Sequence, residues 1–285
     1  MRITGQNIRL GFILLATLLL AGLAVASYQS SNGVSVSRSY TATDFFQGPQ
    51  LEMAEAIERN DMEALRQGPE QGIDLHARGD KQITLMWFAL LQENTDAIRT
   101  LVELGVHPNE SPVEGGGTPL GQALRKSGTE YLKAMLDGGL SPNDSAGNDG
   151  NDTGYPLIFS TITSGTLAHI KLLVERGADI HYRLNNGKGS SPLDSSATGT
   201  KPEVAIYLLE QGAEPNIRLR TGVTTAWRVH NRLSNRSGSV REGFAQLRDM
   251  MIERGVEFPP PSPIEVREQM RAEGLTPVIP RGHDR

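Results

Sequence analysis

The residues whose spacing first suggests chemistry are glycines. From Gly116, the stretch Gly115-Gly116-Gly117-Thr118-Pro119-Leu120-Gly121-Gln122-Ala123 has the opening spacing of a phosphate-binding loop, four residues and then Gly121. Gln122 and Ala123 then stand where a lysine and a Ser or Thr are needed. The lysine meets the β- and γ-phosphates and the hydroxyl ligates Mg²⁺, so the glycines alone argue for a turn before a helix rather than a nucleotide site. The six histidines, at 76, 107, 169, 181, 230 and 283, are scattered with no His-x-x-x-His or Glu-x-x-His pair, and there is no cysteine. Zinc therefore lacks a ligand set. No Gly-x-Ser-x-Gly nucleophile turn occurs. Residues 143–154 (NDSAGNDGNDTG) are rich in Asp and Asn but lack the terminal glutamate and ordered alternation of a calcium loop. No catalytic residue, cofactor or metal is expected.

What must hold these residues is a repeated unit. Glu175-Arg176-Gly177-Ala178-Asp179-Ile180-His181 recurs in altered form around Gly72, Gly105, Gly139, Gly212 and Gly255, at separations of 33, 34, 38, 35 and 43 residues. Apolar pairs precede five of these glycines: Leu101-Val102, Met135-Leu136, Leu173-Val174, Leu208-Leu209 and Met251-Ile252. Each pair reads as the end of an amphipathic helix, and the glycine as the left-handed residue that turns the chain out of it. A second phrase opens each unit: Thr84-Leu85-Met86, Thr118-Pro119-Leu120, Tyr155-Pro156-Leu157, Ser191-Pro192-Leu193 and Thr224-Thr225-Ala226. A hydroxyl followed by proline suits a helix start, since the hydroxyl caps free N–H groups and proline tolerates the first turn. The glycine stretch at 115–121 is thus one member of a series.

The order G-x-TPL, a small-residue helix, a second helix ending in an apolar pair, then G-A-D-x-N/H resembles the ankyrin repeat over residues 50–258. The resemblance implies an all-α solenoid of about six helix-turn-helix repeats with β-hairpin fingers, whose concave face binds another protein. In the first copy Gly68-Pro69 replace the apolar pair, so its second helix should stop near Gln67. The last copy carries an insertion at 233–240 (LSNRSGSV) between its helices.

The flanks carry other signals. Arg2 and Arg9 precede an uncharged apolar run, Leu10 to Ala26, closing in Ala24-Val25-Ala26. Residues 1–26 therefore read as a signal peptide or a membrane anchor with the rest of the chain outside the cytoplasmic membrane, in the periplasm. Residues 27–49 form a polar linker in which Phe45-Phe46 would cover the end of the first repeat, and 259–285 a Pro-rich tail leaving the solenoid. Within the tail, residues 264–272 would form a helix capping the last unit. The chain has 285 residues, 38% hydrophobic, and a net charge of −5 with no dense basic patch, which argues against a nucleic-acid partner.

Recognition of a protein is the remaining function. In this repeat family the variable contacts come from first-helix ends and finger tips. The helix ends map to Gln92, Arg125, Lys126, Ile162, Thr163, Thr198, Asn231 and Arg232, and the fingers to Asp80, Lys81, Glu114, Asn185, Asn186, Lys188, Arg218 and Arg220. Trp87 and Trp227 occupy the slot after the TPL phrase, where an aromatic would either anchor a partner or pack between repeats. Short exported proteins of this layout resemble immunity proteins that sequester a toxic periplasmic effector of the phospholipase type. The expectation is a monomeric protein of this kind. A scaffold or chaperone for an endogenous envelope protein is the alternative, and an enzyme a third reading.

Overall fold

The structure, a computed structural model, describes residues 40–110, 113, 117–145 and 155–280. The expected signal or anchor segment, Glu114 and most of the 143–154 finger lie outside the described residues. Among the described residues no helix is long and apolar enough to cross a membrane.

The helices begin as the hydroxyls dictate. Thr84, Thr118, Ser191 and Thr224 each accept a hydrogen bond from the backbone N–H three residues on, opening α3 (Leu85–Leu91), α5 (Pro119–Arg125), α9 (Pro192–Ser196) and α11 (Thr225–Asn235). Such a cap contributes about 1 kcal/mol. The Tyr155 copy differs because a phenol is too long to reach back: α7 (Leu157–Ser164) has Pro156 as its cap and no side-chain cap bond. Each first helix is followed by a second, giving the pairs α1 (Pro49–Glu58) with α2 (Met62–Gln67), α3 with α4 (Thr95–Glu103), and α5 with α6 (Glu130–Asp137). In the same way α7 pairs with α8 (Leu167–Glu175), α9 with α10 (Pro202–Glu210), and α11 with α12 (Gly238–Glu253). Helix α2 ends at Gln67, where Gly68-Pro69 stop it.

The other five second helices end in one shared way, and in the first repeat Gly72 closes a 3-10 turn, Pro69–Gln71, instead. The six repeat glycines all have positive φ, from +80° to +109°. In the fourth repeat the Gly177 N–H bonds to the Val174 carbonyl and the Ala178 N–H to the Leu173 carbonyl, the paired bonds of a Schellman turn. A Cβ on Gly177 would meet nothing within 4 Å, so the requirement is conformational rather than spatial. The apolar pairs bury one member fully, Leu101, Met135, Leu173, Leu208 and Met251 all at 0% exposure. Each contributes about 1.5–3 kcal/mol relative to an exposed side chain.

The described chain divides into two units, the first ending at Ser141 and the second starting at Pro142. In the first, α1, α3 and α5 stack in succession, as do α2, α4 and α6; in the second, α7, α9 and α11 stack, as do α8, α10 and α12. β-structure among the described residues is confined to three isolated bridges at finger bases, Val113 with Gly117, Ser145 with Pro156 and Arg218 with Thr224. Among the described residues the expected hairpins thus form single bridges at the finger bases and not a continued ladder. The insertion at 233–240 does not form a loop: α11 runs to Asn235 and α12 starts at Gly238, so it lengthens both helices.

The described parts of both flanks, residues 40–49 and 259–280, fold onto their nearest repeats. In the first unit, Phe45 and Phe46 are 2% exposed and pack edge-on against Phe88. The Asp80 N–H bonds to the Phe45 carbonyl at 2.7 Å. In the second unit α13 (Pro263–Ala272) buries Val266 and Met270, and the Arg267 guanidinium donates to the Thr221 carbonyl at 2.9 Å. Beyond it the Val278 N–H bonds to the Arg220 carbonyl at 2.7 Å. The C-terminal segment expected to leave the solenoid instead lies along the last finger through Val278.

Candidate protein-binding site

In the second unit, charge gathers around a cleft where α9 and α11 stack. Ser191 caps α9 by accepting from the Asp194 N–H, which fixes Asp194 in the first turn. The Asp194 side chain is completely buried. Its Oδ1 accepts from the Thr225 hydroxyl at 3.2 Å and from Arg228 Nε at 2.9 Å, while Oδ2 makes no hydrogen bond. A buried carboxylate is costly unless paired, so Asp194 and Arg228 fix each other. With its Nε committed, Arg228 has its terminal nitrogens left for the cleft it lines.

That cleft, of about 170 Å³, is lined by Ala197, Thr198, Arg228, Asn231, Arg232 and Asn235. Arg232 lies one helical turn beyond Arg228, and its Nε makes only a long contact of 3.5 Å to the Ala197 carbonyl. Burial, then the neighbouring Arg236 and Arg228 cations, push the Arg232 guanidinium below its usual pKa. Its place in the last turn of α11 offsets part of that crowding, because the unsatisfied carbonyls of a helix C-terminus favour positive charge.

Three residues expected at first-helix ends, Thr198, Asn231 and Arg232, are thus brought to one cleft. The other expected residues of this unit are dispersed. Ile162 is half-buried, and the Thr163 hydroxyl bonds back to the Phe159 carbonyl. Asn185 and Asn186 form an exposed finger tip with φ of +52° and +54°, a conformation asparagine tolerates, and Lys188 follows them into solvent. Trp227 is half-buried and stacks on the His230 ring at 5.8 Å. Arg218 and Arg220 are engaged within the chain. Arg218 donates two bonds to Glu273, at 2.9 and 2.7 Å, and Arg220 reaches the Thr276 carbonyl at 3.4 Å. The C-terminal segment thus already contacts these two finger residues.

In the first unit Trp87 corrects the expectation of a partner anchor: at 3% exposure it belongs to the core. Gln92 is used internally, its amide donating to the Tyr40 carbonyl at 2.7 Å. Asp80 is exposed beside the Phe45-Phe46 segment, and the Lys81 ammonium lies 5.4 Å from the Phe45 ring centre. Arg125 and Lys126 are exposed at the end of α5. Arg125 donates to Gln122 at 3.3 Å, while Lys126 sits 3.8 Å from Glu93 and over the Tyr131 ring. Burial, then Glu93 and Glu130, push the Tyr131 hydroxyl up to about 12.

Two of the histidines serve structure. His107 accepts from the Asn109 N–H, and buried His169 completes a capping box with Thr166. Gly117 pairs with Val113, and Thr118 caps α5, so this part of the glycine stretch is the lead-in to a repeat. Among the described residues no group of three His, Asp or Glu is arranged to hold a metal. The residues missed at the sequence level are Asp194 and Arg228. The available signal was the slot after Ser191-Pro192-Leu193, filled by Gly121 or by Trp87 and Trp227 in other copies and by a carboxylate here.

No protein-family model matches the sequence. Protein PhlB of Serratia liquefaciens is 27% identical over 195 residues, covering 68% of this chain and 80% of PhlB. The human Notch-regulated ankyrin repeat-containing protein is 32% identical over 88 residues, covering 31% of this chain and 75% of that protein. Among solved structures, the ankyrin repeat domain of Bcl-3, a member of the IkappaB protein family, superposes with a TM-score of 0.51 at 20% identity, over 75% of this chain and 92% of that domain. Capped first helices, Schellman glycines and these likenesses agree: the chain belongs to the ankyrin-repeat proteins.

Proposed function

We propose that this protein acts by stoichiometric binding of another protein, and that it is an envelope immunity protein which occludes a toxic periplasmic effector of the phospholipase type. One observation carries the binding reading: Thr198, Asn231 and Arg232 converge on an open cleft whose floor is fixed by the buried Asp194–Arg228 pair. A surface set by buried partners loses little side-chain freedom on association, which favours affinity. Repeat stacking supplies the same rigidity to the backbone. The mechanism is occlusion, in which a monomer covers the entrance to the effector's active site. The envelope location rests on the leader-like residues 1–26 and the effector class on the resemblance to exported proteins of this layout. The test is co-purification with a tagged periplasmic phospholipase-type toxin, together with protection of cells that express it. Protection should fall when Asn231 and Arg232 are both replaced by Glu. Full protection by that folded variant would remove this face from the mechanism, and no protection by the parent chain would remove the toxin.

A further inference from the structure

We infer that the α9–α11 cleft is a carboxylate site, and that its occupant is an Asp or Glu side chain of the protein partner; this rests on the protein-binding reading above. The first support is the balance of charge. Arg228 and Arg232 line the cleft, and Arg236 follows at the end of α11. Among the described residues the carboxylate within 4 Å of any of the three is Asp194, and it meets only the Nε of Arg228. One buried carboxylate thus meets one of three neighbouring guanidinium groups, which leaves an excess of positive charge at the cleft. The second support is the donor geometry. A guanidinium offers a planar fork that matches a carboxylate. Arg228 is held at one edge by Asp194, and Arg232 has only the long Ala197 contact to give up. The Asn231 side chain at the rim is exposed, whereas the Asn235 amide is committed to the Asn231 carbonyl at 2.9 Å.

Size selects the kind of carboxylate. The cleft's volume of about 170 Å³ lies below the range of about 300–1,000 Å³ of pockets that take small ligands. It accommodates the head of one side chain entering from a partner surface. A nucleic acid is disfavoured because the chain as a whole carries −5, so the arginines are a local feature and not part of a broad basic face. Crowding of Arg232 by Arg236 and Arg228 points the same way, since an incoming anion relieves that repulsion.

The test uses the full-length chain and follows the arginine Nε–H signals by NMR during titration with glutarate, with inorganic phosphate and with a short single-stranded DNA. Saturable glutarate shifts at Arg228 and Arg232, with Arg66 and Arg99 unmoved, are expected. Arg232→Gln should weaken that response at least about tenfold, and Arg232→Lys by less, because lysine keeps the charge but loses the fork. If Arg232→Gln fails to melt cooperatively, Asn231→Leu at the exposed rim is the second variant and should also weaken binding. Shifts that do not saturate, or that are equal at all surface arginines, overturn the site. Saturation by phosphate or DNA at lower concentration than by glutarate overturns the carboxylate assignment. An Arg232→Gln chain that binds the toxin with undiminished affinity overturns this inference and leaves the binding reading standing. Saturable glutarate binding without any toxin binding removes the toxin and supports the site.

Discussion

Arg228 and Arg232 line one cleft and differ by one helical turn, yet their removal should have very unequal consequences for stability. Asp194 is fully buried, and its partners are Arg228 Nε at 2.9 Å and the Thr225 hydroxyl. Arg228→Ala leaves that carboxylate with a single neutral donor. Breaking a fully buried pair costs about 3–5 kcal/mol. The Arg228 side chain is 26% exposed, so water reaches the cation and the loss should fall to about 2–3 kcal/mol. Arg232 has one long contact and two like-charged neighbours, so Arg232→Ala should change stability by no more than about 0.5 kcal/mol. Urea unfolding at pH 7, with the slope compared among variants, measures both. The double variant Asp194→Leu/Arg228→Met should recover much of the loss, because removing both charges leaves neither uncompensated. Equal costs for the two alanine variants, or an Arg228→Ala cost below about 0.5 kcal/mol, would refute the assignment of Asp194 as the residue that fixes Arg228.

Two further outcomes follow from the geometry. Gly177→Ala should cost about 1–2 kcal/mol purely through its φ of +89°, and Gly177→Asn less, since asparagine tolerates the left-handed region. Gly138→Ala has an ordinary φ of −78° but places a Cβ 2.5 Å from the Arg99 carbonyl, so its cost arises from displaced packing; thermal unfolding of all three separates the two mechanisms. The Arg218–Glu273 contact should respond to pH. Glu273 is held below the usual carboxylate pKa by its bonds to Arg218, so its stabilisation is complete above about pH 4.3 and is lost as pH falls through the lowered value. Cleavage within 259–280 during limited proteolysis should therefore quicken in Arg218→Ala at neutral pH, and in the parent chain only in acid. A tail equally resistant in the variant would mean that Arg218 does not hold it.

The architecture was legible because the repeat writes its requirements locally. Threonine or serine caps and left-handed glycines depend on a few neighbouring residues, and six degenerate copies corroborate one another. Tyr155 failed as a member of the cap series because side-chain length, not polarity, decides whether an oxygen can reach back. The binding residues were less legible, since exposure is a long-range property. Trp87 sits in the same slot as Trp227, yet the first is core and the second half-exposed. Arg218, Arg220 and Gln92 were expected to face a partner and instead hold distant segments of the same chain. Asp194 was overlooked because a single acidic residue in a repeat slot resembles surface charge until Thr225 and Arg228, more than thirty residues on, close over it.

The central claim, protein binding through first-helix ends of the second unit, is tested most directly by site-specific photocrosslinking in cells. A photoreactive residue is placed at Thr198 or Asn231, and in control chains at Lys171 or Glu203, which are exposed on the second helices α8 and α10. Binding through the cleft predicts one discrete adduct from 198 and 231, its yield reduced by Arg232→Glu, and none from 171 or 203. An adduct from the control positions alone, or equal yield with and without Arg232, would contradict it.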